Sequence, residues 1–579
     1  MFEKVLVANR GEIAVRIIRA LREMGVKSVA VYSDVDRESF HARLADEAYH
    51  VGPAPATESY LNMEKLIEVA KRSGAEAVHP GYGFLAESAP FAWAVREAGL
   101  VWIGPRPEAM EAMGSKVESR RIMGKAGVPM TPGTEDPVDS ADAVFDFAGK
   151  YGYPVAVKAS SGGGGKGFAV ALDEDGAAAA FERATREGEA YFGDGTVYLE
   201  KYLSSPRHVE IQVVRDKHGN AIHLGERDCS IQRRHQKLLE ECPSPAIDPT
   251  MREEMGKAAV EAAEAVGYDN VGTVEFLVQE DEFYFLEMNT RVQVEHPVTE
   301  EVTGIDIVQT GIRVAAGEEL PISQEEVSWQ GHAIEVRINA EDAANGFVPS
   351  PGTVTAYVEP GGPGVRVDSS LQGPGIVPES YDPLFAKLIV RGMDREDALR
   401  RLRRALGEFR IEGIATTLPF FKAILDDEVF VKGSYTTGFI AERLEKLEIE
   451  ARPVEDGQRE RPEKDVREVE VEVNGKLFRV KVFADEAGRE DVKAPPARRR
   501  RERGRTAVTE GTVVAPMQGT ILKVFVQEGQ AVAVDDPVCV LEAMKMESEI
   551  LAKKDGMVSK ILVEAGQIVR SGDPLVALE

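Results

Sequence analysis

The sequence predicts a multidomain chain, α/β and α+β through about Leu447, with a small all-β domain at its C-terminal end. Three observations predict this. From Met1 to about Leu447, helix-like and strand-like patterns alternate with short Gly/Pro punctuation, as layered domains require. From about Glu448 to Glu510 the composition turns to charge and proline. Beyond that lies an internal repeat: Ala515–Glu542 aligns without gaps on Ala552–Glu579, 28 residues each, with 11 identical positions.

At roughly 150 residues per domain, 579 residues suggest about four domains. Lys+Arg 70 against Asp+Glu 98 gives a net charge of −28, which argues against a general nucleic-acid or anionic-membrane binder. No apolar run approaches the length of a transmembrane helix, and MFEKVLVANRGEIAV enters a strand-like run with no signal-peptide pattern. Cys229, Cys242 and Cys539 suggest neither a disulfide framework nor a zinc site. The chain reads as reduced and cytoplasmic, handling small anionic molecules.

The chain opens with a strand (Lys4–Ala8), a turn at Gly11, a helix (Ile13–Met24) and a strand (Ser28–Tyr32). This βαβ unit looks like a dinucleotide fold. Asn9-Arg-Gly-Glu nevertheless lacks Gly-x-Gly-x-x-Gly, and Gly81-Tyr-Gly83-Phe-Leu-Ala86 is only a loose match, so a NAD enzyme is disfavoured. Next, Ser160–Phe168 carries Gly163, Gly164, Gly165, Lys166 and Gly167 between the strands Tyr153–Lys158 and Phe168–Leu172. Glycine-loop N–H groups can wrap phosphate oxygens. The loop is not a Walker A motif; its place between two strands favours a mobile phosphate-binding lid over a plain linker.

Val197–Leu203 reads as a strand bearing Glu200 and Lys201, and Val271–Val278 with Glu282–Asn289 as a hairpin. A three-residue loop, Glu280–Glu282, places Glu275 directly across from Glu287. Facing carboxylates repel unless a cation lies between them, and two Glu with Asn289 offer hard oxygens suited to Mg²⁺. A two- or four-residue loop would put the carboxylates on opposite faces.

Between Glu448 and Glu510, alternating strands flank Asn474-Gly475, a strong hairpin signal. Ala494–Arg505, with six arginines in eight residues, reads as a solvated tether or, alternatively, an anion-binding segment. In the repeat, β-rich runs alternate with Gly-Gln and Asp-Pro turns, which suggests a pseudo-symmetric sandwich or flattened barrel. Lys545, flanked by Met544 and Met546, sits on the turn joining its halves.

Glu542-Ala-Met-Lys-Met-Glu547, centred in that repeat, resembles the biotinyl domain of biotin-dependent enzymes, and Ala515-Pro-Met matches its opening. Lipoyl domains share the architecture; the flanking methionines favour biotin. The first 447 residues resemble biotin carboxylases of the ATP-grasp superfamily. The resemblance rests on long strings: Ala8-Asn-Arg-Gly-Glu-Ile-Ala, His79-Pro-Gly-Tyr-Gly-Phe-Leu-Ala-Glu, Glu226–Lys237, Arg291-Val-Gln-Val-Glu-His-Pro297 and Tyr381-Asp-Pro-Leu-Phe-Ala-Lys.

The resemblance implies a Rossmann-like pre-ATP-grasp domain (1–115), an ATP-grasp domain (116–328) with its glycine-rich lid at about 131–203, a carboxylase C-terminal domain (329–447), a linker (448–510) and a biotinyl domain (511–579). It implies nucleotide contacts at Lys116, Lys158, the Gly163–Gly167 loop, Glu200, Lys201, His208, Gln232 and His235. Glu275, Glu287 and Asn289 would hold Mg²⁺, with Mn²⁺ able to replace it. Arg291, Gln293, Val294 and Glu295 would bind bicarbonate beside Lys237. Tyr82 and Arg337 would bind biotin, and Lys545 would carry it covalently.

The implied reaction uses ATP to phosphorylate bicarbonate, with Glu295 as base, and Arg337 stabilises the biotin enolate. The chain would then be the α subunit of an acyl-CoA (acetyl- or propionyl-CoA) carboxylase. Its partners would be a carboxyltransferase β subunit, biotin protein ligase and a second copy of itself. A pyruvate carboxylase subunit is the alternative within the class, and a non-catalytic biotin scaffold is the one outside it.

Overall fold

The computed structural model describes residues 1–579 other than 135, 164–165, 193, 235, 451–464, 474–475, 485–511, 516–518, 535, 544–545 and 570–571. The chain divides into two compact units, Met1–Pro453 and Val454–Glu579.

The expected βαβ unit opens the first. β1 (Lys4–Val7) pairs in parallel with β2 (Lys27–Ser33), and α1 (Gly11–Glu23) connects them. Ile13, Ile17, Ile18 and Leu21 recur at helical spacing and are buried, which fixes the inward face of α1. With β3 (Glu47–Gly52), β4 (Ala77–His79) and β5 (Val101–Trp102), the sheet runs β3-β2-β1-β4-β5. Because β1 and β4 are neighbours, the loops leaving their carboxyl ends, Ala8–Arg10 and Pro80–Ala86, lie side by side. This edge is where parallel sheets place ligand sites.

A three-stranded sheet follows, β7-β6-β8, from β6 (Val155–Gly163), β7 (Lys166–Ala171) and β8 (Val197–Lys201). It packs with the helices α2 (Asp142–Tyr151) and α3 (Ala177–Phe192) around its own core, which includes Val144, Phe147, Val157, Ala184 and Leu199.

The centre of the unit is an eight-stranded sheet. Its strands are β9 (Arg207–Arg215), β10 (Ala221–Arg233), β11 (Gln236–Cys242), β12 (Asn270–Gln279), β13 (Glu282–Asn289), β14 (His332–Asn339), β15 (Val365–Ser369) and β16 (Leu384–Gly392), in the order β13-β12-β9-β10-β11-β14-β16-β15. Strand alternation assigns its faces. Val209, Ile211, Val213, Val274 and Phe276 form one core with Met255, Ala259 and Ala262 of α4 (Pro249–Ala265). His208, Glu210, Gln212 and Glu275 project from the opposite face and carry the polar site. The sheet is continuous across the residue 328/329 position, because β11 pairs with β14 through Glu240↔Glu335.

The hairpin corrects one expectation. Gln279 pairs with Glu282, so the loop is two residues, Glu280-Asp281, rather than three. That length alone would separate the carboxylates. The register shifts between Phe276↔Phe285 and Glu275↔Glu287, leaving Leu286 as an extra, exposed residue in β13. The bulge returns Glu275 to Glu287.

In the second unit, Asp465–Val473 pairs with Lys476–Ala484, ending at Val473↔Lys476, as Asn474-Gly475 predicts. The repeat folds into two four-stranded sheets. The strands are β17 (Thr512–Val514), β18 (Gly519–Val524), β19 (Ala531–Val532), β20 (Pro537–Ala543), β21 (Met546–Leu551), β22 (Gly556–Ile561), β23 (Ile568–Val569) and β24 (Pro574–Leu578). One sheet runs β17-β24-β22-β19 and the other β21-β20-β18-β23. Each sheet takes strands from both repeats, so neither half buries its core without the other; Val513, Ile521, Leu541, Val558 and Leu575 share that core. Ala543 pairs with Met546. Lys545, expected between them, lies outside the described residues. Among the described residues, no helix is long and apolar enough to cross a membrane.

Candidate active site

Lys237, on β11, is the hub of the polar face. Its Nζ donates to Glu210 Oε2 at 2.6 Å, Glu275 Oε1 at 2.8 Å and Glu295 Oε1 at 2.7 Å. Burial alone would lower the ammonium's pKa, but Glu210, Glu275 and Glu295 raise it well above its usual value. Burial would likewise raise Glu295, yet Lys237 and Arg337 hold it well below the usual carboxylate range. Arg337 Nε donates to Glu240 Oε1 at 2.6 Å and its NH2 to Glu295 Oε2 at 2.9 Å. Behind Glu210 lies the fully buried Arg227, with Nε 2.6 Å from Glu210 Oε1 and further bonds to Gln212, Thr273 and Thr299. The result is an ionised carboxylate, Glu295, gripped by two cations, a set able to hold a small oxyanion and accept a proton from it.

Beside this hub sits the hairpin pair. Glu275 Oε1 also accepts from Asn289 Nδ2 at 2.9 Å and Gln293 Nε2 at 3.0 Å, while Oε2 meets His208 Nε2 at 2.7 Å. His208 would be lowered by burial, but the Glu275 carboxylate raises it. Arg291 NH2 donates to Asn289 Oδ1 at 2.9 Å and NH1 to Gln293 Oε1 at 3.3 Å; its Nε lies 3.0 Å from Glu87. Glu287 opens to solvent on one side, and its carboxyl is pushed up by partial desolvation against the site and by the Glu275 charge. A solvent-open carboxyl opposed to a buried one, with an amide oxygen alongside, fits a divalent cation of the Mg²⁺ type.

The expected nucleotide residues spread from the lid to this face. Glu200, on β8, takes Lys158 of β6 and also Arg120 NH1 at 2.9 Å. Lys201 lies 3.9 Å from Glu282. Gly163 pairs with Lys166 across the lid strands, and Gly167 N–H donates to Glu187 Oε2 at 3.0 Å. Lys116 begins the helix Lys116–Lys125, and Gln232 faces Lys237 in the β10–β11 register. Gly164, Gly165 and His235 lie outside the described residues. Of the expected biotin and bicarbonate contacts not yet placed, Tyr82 donates its hydroxyl to Glu12, and the Val294 carbonyl accepts from Lys387 Nζ at 2.7 Å.

Sequence reasoning missed Glu210, Arg227, Glu240, Glu12 and Lys387. A signal for Glu210 exists: His208-Val-Glu210-Ile-Gln212 alternates polar with apolar residues, the mark of a strand with one polar face. Glu240 depends on its strand partner. It sits directly opposite Glu335, whose buried carboxyl has no hydrogen bond among the described residues and is pushed well above the usual range by burial.

Comparison with known proteins agrees with this arrangement. Residues 1–110 match the family described as biotin carboxylase, N-terminal domain. Residues 115–323 match the carbamoyl-phosphate synthase L chain, ATP binding domain, and 335–442 the biotin carboxylase C-terminal domain. Residues 511–578 match the family described as biotin-requiring enzyme. The biotin-dependent acyl-coenzyme A carboxylase alpha3 subunit of Mycobacterium leprae is 47% identical, covering 94% of this chain and 94% of its own. The chain belongs to the biotin carboxylase family.

The carboxylase also resembles a pyruvate carboxylase subunit of Methanothermobacter thermautotrophicus, 52% identical over 78% of this chain and 92% of that one. Among solved structures, the biotin carboxylase domain dimer of Hydrogenobacter thermophilus 2-oxoglutarate carboxylase, in complex with MgADP and bicarbonate, superimposes with a TM-score of 0.69. It has 47% identity and covers 76% of this chain and 98% of its own. This biotin carboxylase, fused to a biotin carrier, is therefore an ATP-dependent ligase that carboxylates biotin.

Proposed function

We propose that this chain is the α subunit of an acyl-CoA carboxylase, carrying biotin on Lys545 and handing its carboxyl group to a separate carboxyltransferase subunit. One observation carries the reading. The acyl-CoA carboxylase relative matches the chain through both catalytic and carrier regions, whereas the pyruvate carboxylase relative matches only 78% of it. The domains run 1–115, 116–328, 329–447, 448–510 and 511–579.

In this reading ATP, bicarbonate and biotin give ADP, phosphate and carboxybiotin. Arg291, Gln293, the Val294 backbone and Lys237 hold bicarbonate, and Glu295, ionised by its cations, takes the proton as the anion attacks the γ-phosphate. Glu275, Glu287 and Asn289 hold Mg²⁺, which when bound neutralises the phosphates and orients them. Lys116, Lys158, Glu200, Lys201, His208, Gln232 and His235 bind the nucleotide, with the Gly163–Gly167 lid excluding water. Arg337 stabilises the negative charge that develops on the ureido oxygen.

The test is to isolate the biotinylated chain with its native partner and assay ATP-dependent fixation of bicarbonate into acetyl-CoA, propionyl-CoA and pyruvate. An acyl-CoA product supports the reading; fixation into pyruvate alone overturns it.

A further inference from the structure

Two of the strings that mark the family, Ala8-Asn-Arg-Gly-Glu and Tyr381-Asp-Pro-Leu-Phe-Ala-Lys, hold none of the expected nucleotide, bicarbonate or biotin contacts, yet they meet beside two of them, Tyr82 and Val294. Gly81 adopts φ +65°, and a Cβ there would lie 3.0 Å from Asn9 Nδ2. That amide donates to Pro80 O at 2.7 Å and Tyr82 O at 2.8 Å, pinning the backbone on both sides of Gly81. One helical turn along, Glu12 Oε1 accepts the Tyr82 hydroxyl. The same oxygen lies 3.2 Å from Lys387 Nζ, which donates to the Val294 carbonyl at 2.7 Å.

Glu12 is 3% exposed and Lys387 0%. Neither meets solvent, so neither serves solubility, and a buried ion pair is weak evidence for stability because desolvation offsets its attraction. Burial would lower Lys387, but the Glu12 and Asp368 carboxylates keep it charged. Lys387 lies opposite Arg337 in the β14–β16 register, and Arg10 of the first string stacks 4.3 Å from the Tyr381 ring of the second. The two strings are thereby locked together.

The geometry points to Glu12 and Lys387 as a positioning pair that fixes the Tyr82 ring relative to the Val294 carbonyl and so sets the pocket for the ureido ring without touching the nucleotide. Neither residue contacts a reacting atom. The inference rests on the reading of Tyr82 as a biotin contact and Val294 as a bicarbonate contact. It is a claim about binding: loss of the clamp frees a ring that must then be ordered by the ligand, which raises KM.

The experiment uses the full-length chain with free biotin as the added substrate. ADP release measured without free biotin is subtracted as background, so the biotin-dependent increment reports the free ligand. Glu12→Ala, Lys387→Met and Tyr82→Phe should each raise the KM for free biotin by about tenfold, the scale of one lost hydrogen bond to a charged group. The KM for ATP should shift less than twofold. The double variant Glu12→Ala/Tyr82→Phe should be no worse than the poorer single one, because both remove the same link. Glu12→Gln, which keeps an acceptor of the same shape, should recover part of the loss. Equal changes in the biotin and ATP constants, or additive singles, would mean a merely structural pair and overturn the inference. Tyr82→Ala separates the underlying reading: if it leaves the biotin KM unaltered, Tyr82 is no biotin contact. If it raises that KM while Glu12→Ala and Lys387→Met do not, the contact stands and the clamp does not. If Glu12→Ala fails to fold, Tyr82→Phe with Lys387→Met decides by the same non-additivity.

Discussion

Glu275 and Glu287 face one another because Leu286 bulges out of the strand between Phe285 and Glu287. The two-residue loop places the pair out of step, and the extra residue returns them to one face. Charge repulsion in the pair is therefore built into the backbone, and a cation relieves it.

Glu287→Ala should lower bicarbonate-dependent ATP hydrolysis by on the order of 100-fold, with part of the loss recovered at high Mg²⁺. ADP release measured across a Mg²⁺ titration checks this. Activity within a few-fold of the parent would make the hairpin carboxylates structural.

Arg337→Ala should leave biotin attachment to the carrier domain intact while abolishing most carboxylation, since the variant loses the cation where charge develops and one of the two that keep Glu295 ionised. Streptavidin blotting and bicarbonate fixation on one preparation separate the two. Parallel loss of both would indicate misfolding, and retention of both would remove Arg337 from the site.

Much of this was legible in the sequence. The repeat foretold a small pseudo-symmetric β domain in which neither half buries its face alone, and the strands flanking Asn474-Gly475 pair as expected. The Glu275–Glu287 pairing was expected from a three-residue loop and arises instead from a two-residue loop with a bulge, whereas the strand spans were readable from alternation. The bulge was not, because a single extra residue leaves no mark when Leu286 is as apolar as its neighbours. Nor was the Lys237 hub: Glu210 and Glu275 reach it through the pairing of β9, β10, β11 and β12, and Glu295 from the N-terminus of the helix His296–Thr303, distances invisible to spacing along the chain. Glu12 and Lys387 were visible as parts of recognisable strings, but their meeting depends on contacts between segments far apart in the chain.

Glu335→Gln should stabilise the protein at neutral pH. Burial raises this carboxyl well above its usual 4.5, so the folded state holds a proton that the unfolded state releases. Stability from such a group is present below about pH 4.5 and lost as pH rises through the folded value. The variant should therefore be more stable than the parent at pH 7, with the gain shrinking towards pH 4, as read from denaturant melts. A loss at pH 7 would mean that Glu335 is ionised and paired.

His79 gives the opposite sign. Burial, with Arg16 nearby, lowers it to about 3, and its Nδ1 accepts the Gly81 N–H at 3.0 Å. The folded state holds it neutral, so its contribution is full above about pH 6.5 and lost as pH falls towards 3. Relative to His79→Asn, the parent should be more stable at pH 7.5, with the difference falling by up to about 1.4 kcal/mol per pH unit below 6.5. A difference independent of pH between 7.5 and 4.5 would contradict the neutral buried imidazole.

In the proposed reaction, ATP and bicarbonate carboxylate biotin held on Lys545. Full-length biotinylated protein is incubated with ATP, Mg²⁺ and radiolabelled bicarbonate, without any acyl acceptor, and digested under mildly basic conditions that preserve carboxybiotin. Close to one equivalent of acid-labile label is expected on the peptide containing Lys545, absent without ATP and absent in Lys545→Arg. Label on another peptide, label that survives Lys545→Arg, or no label on fully biotinylated protein would contradict it.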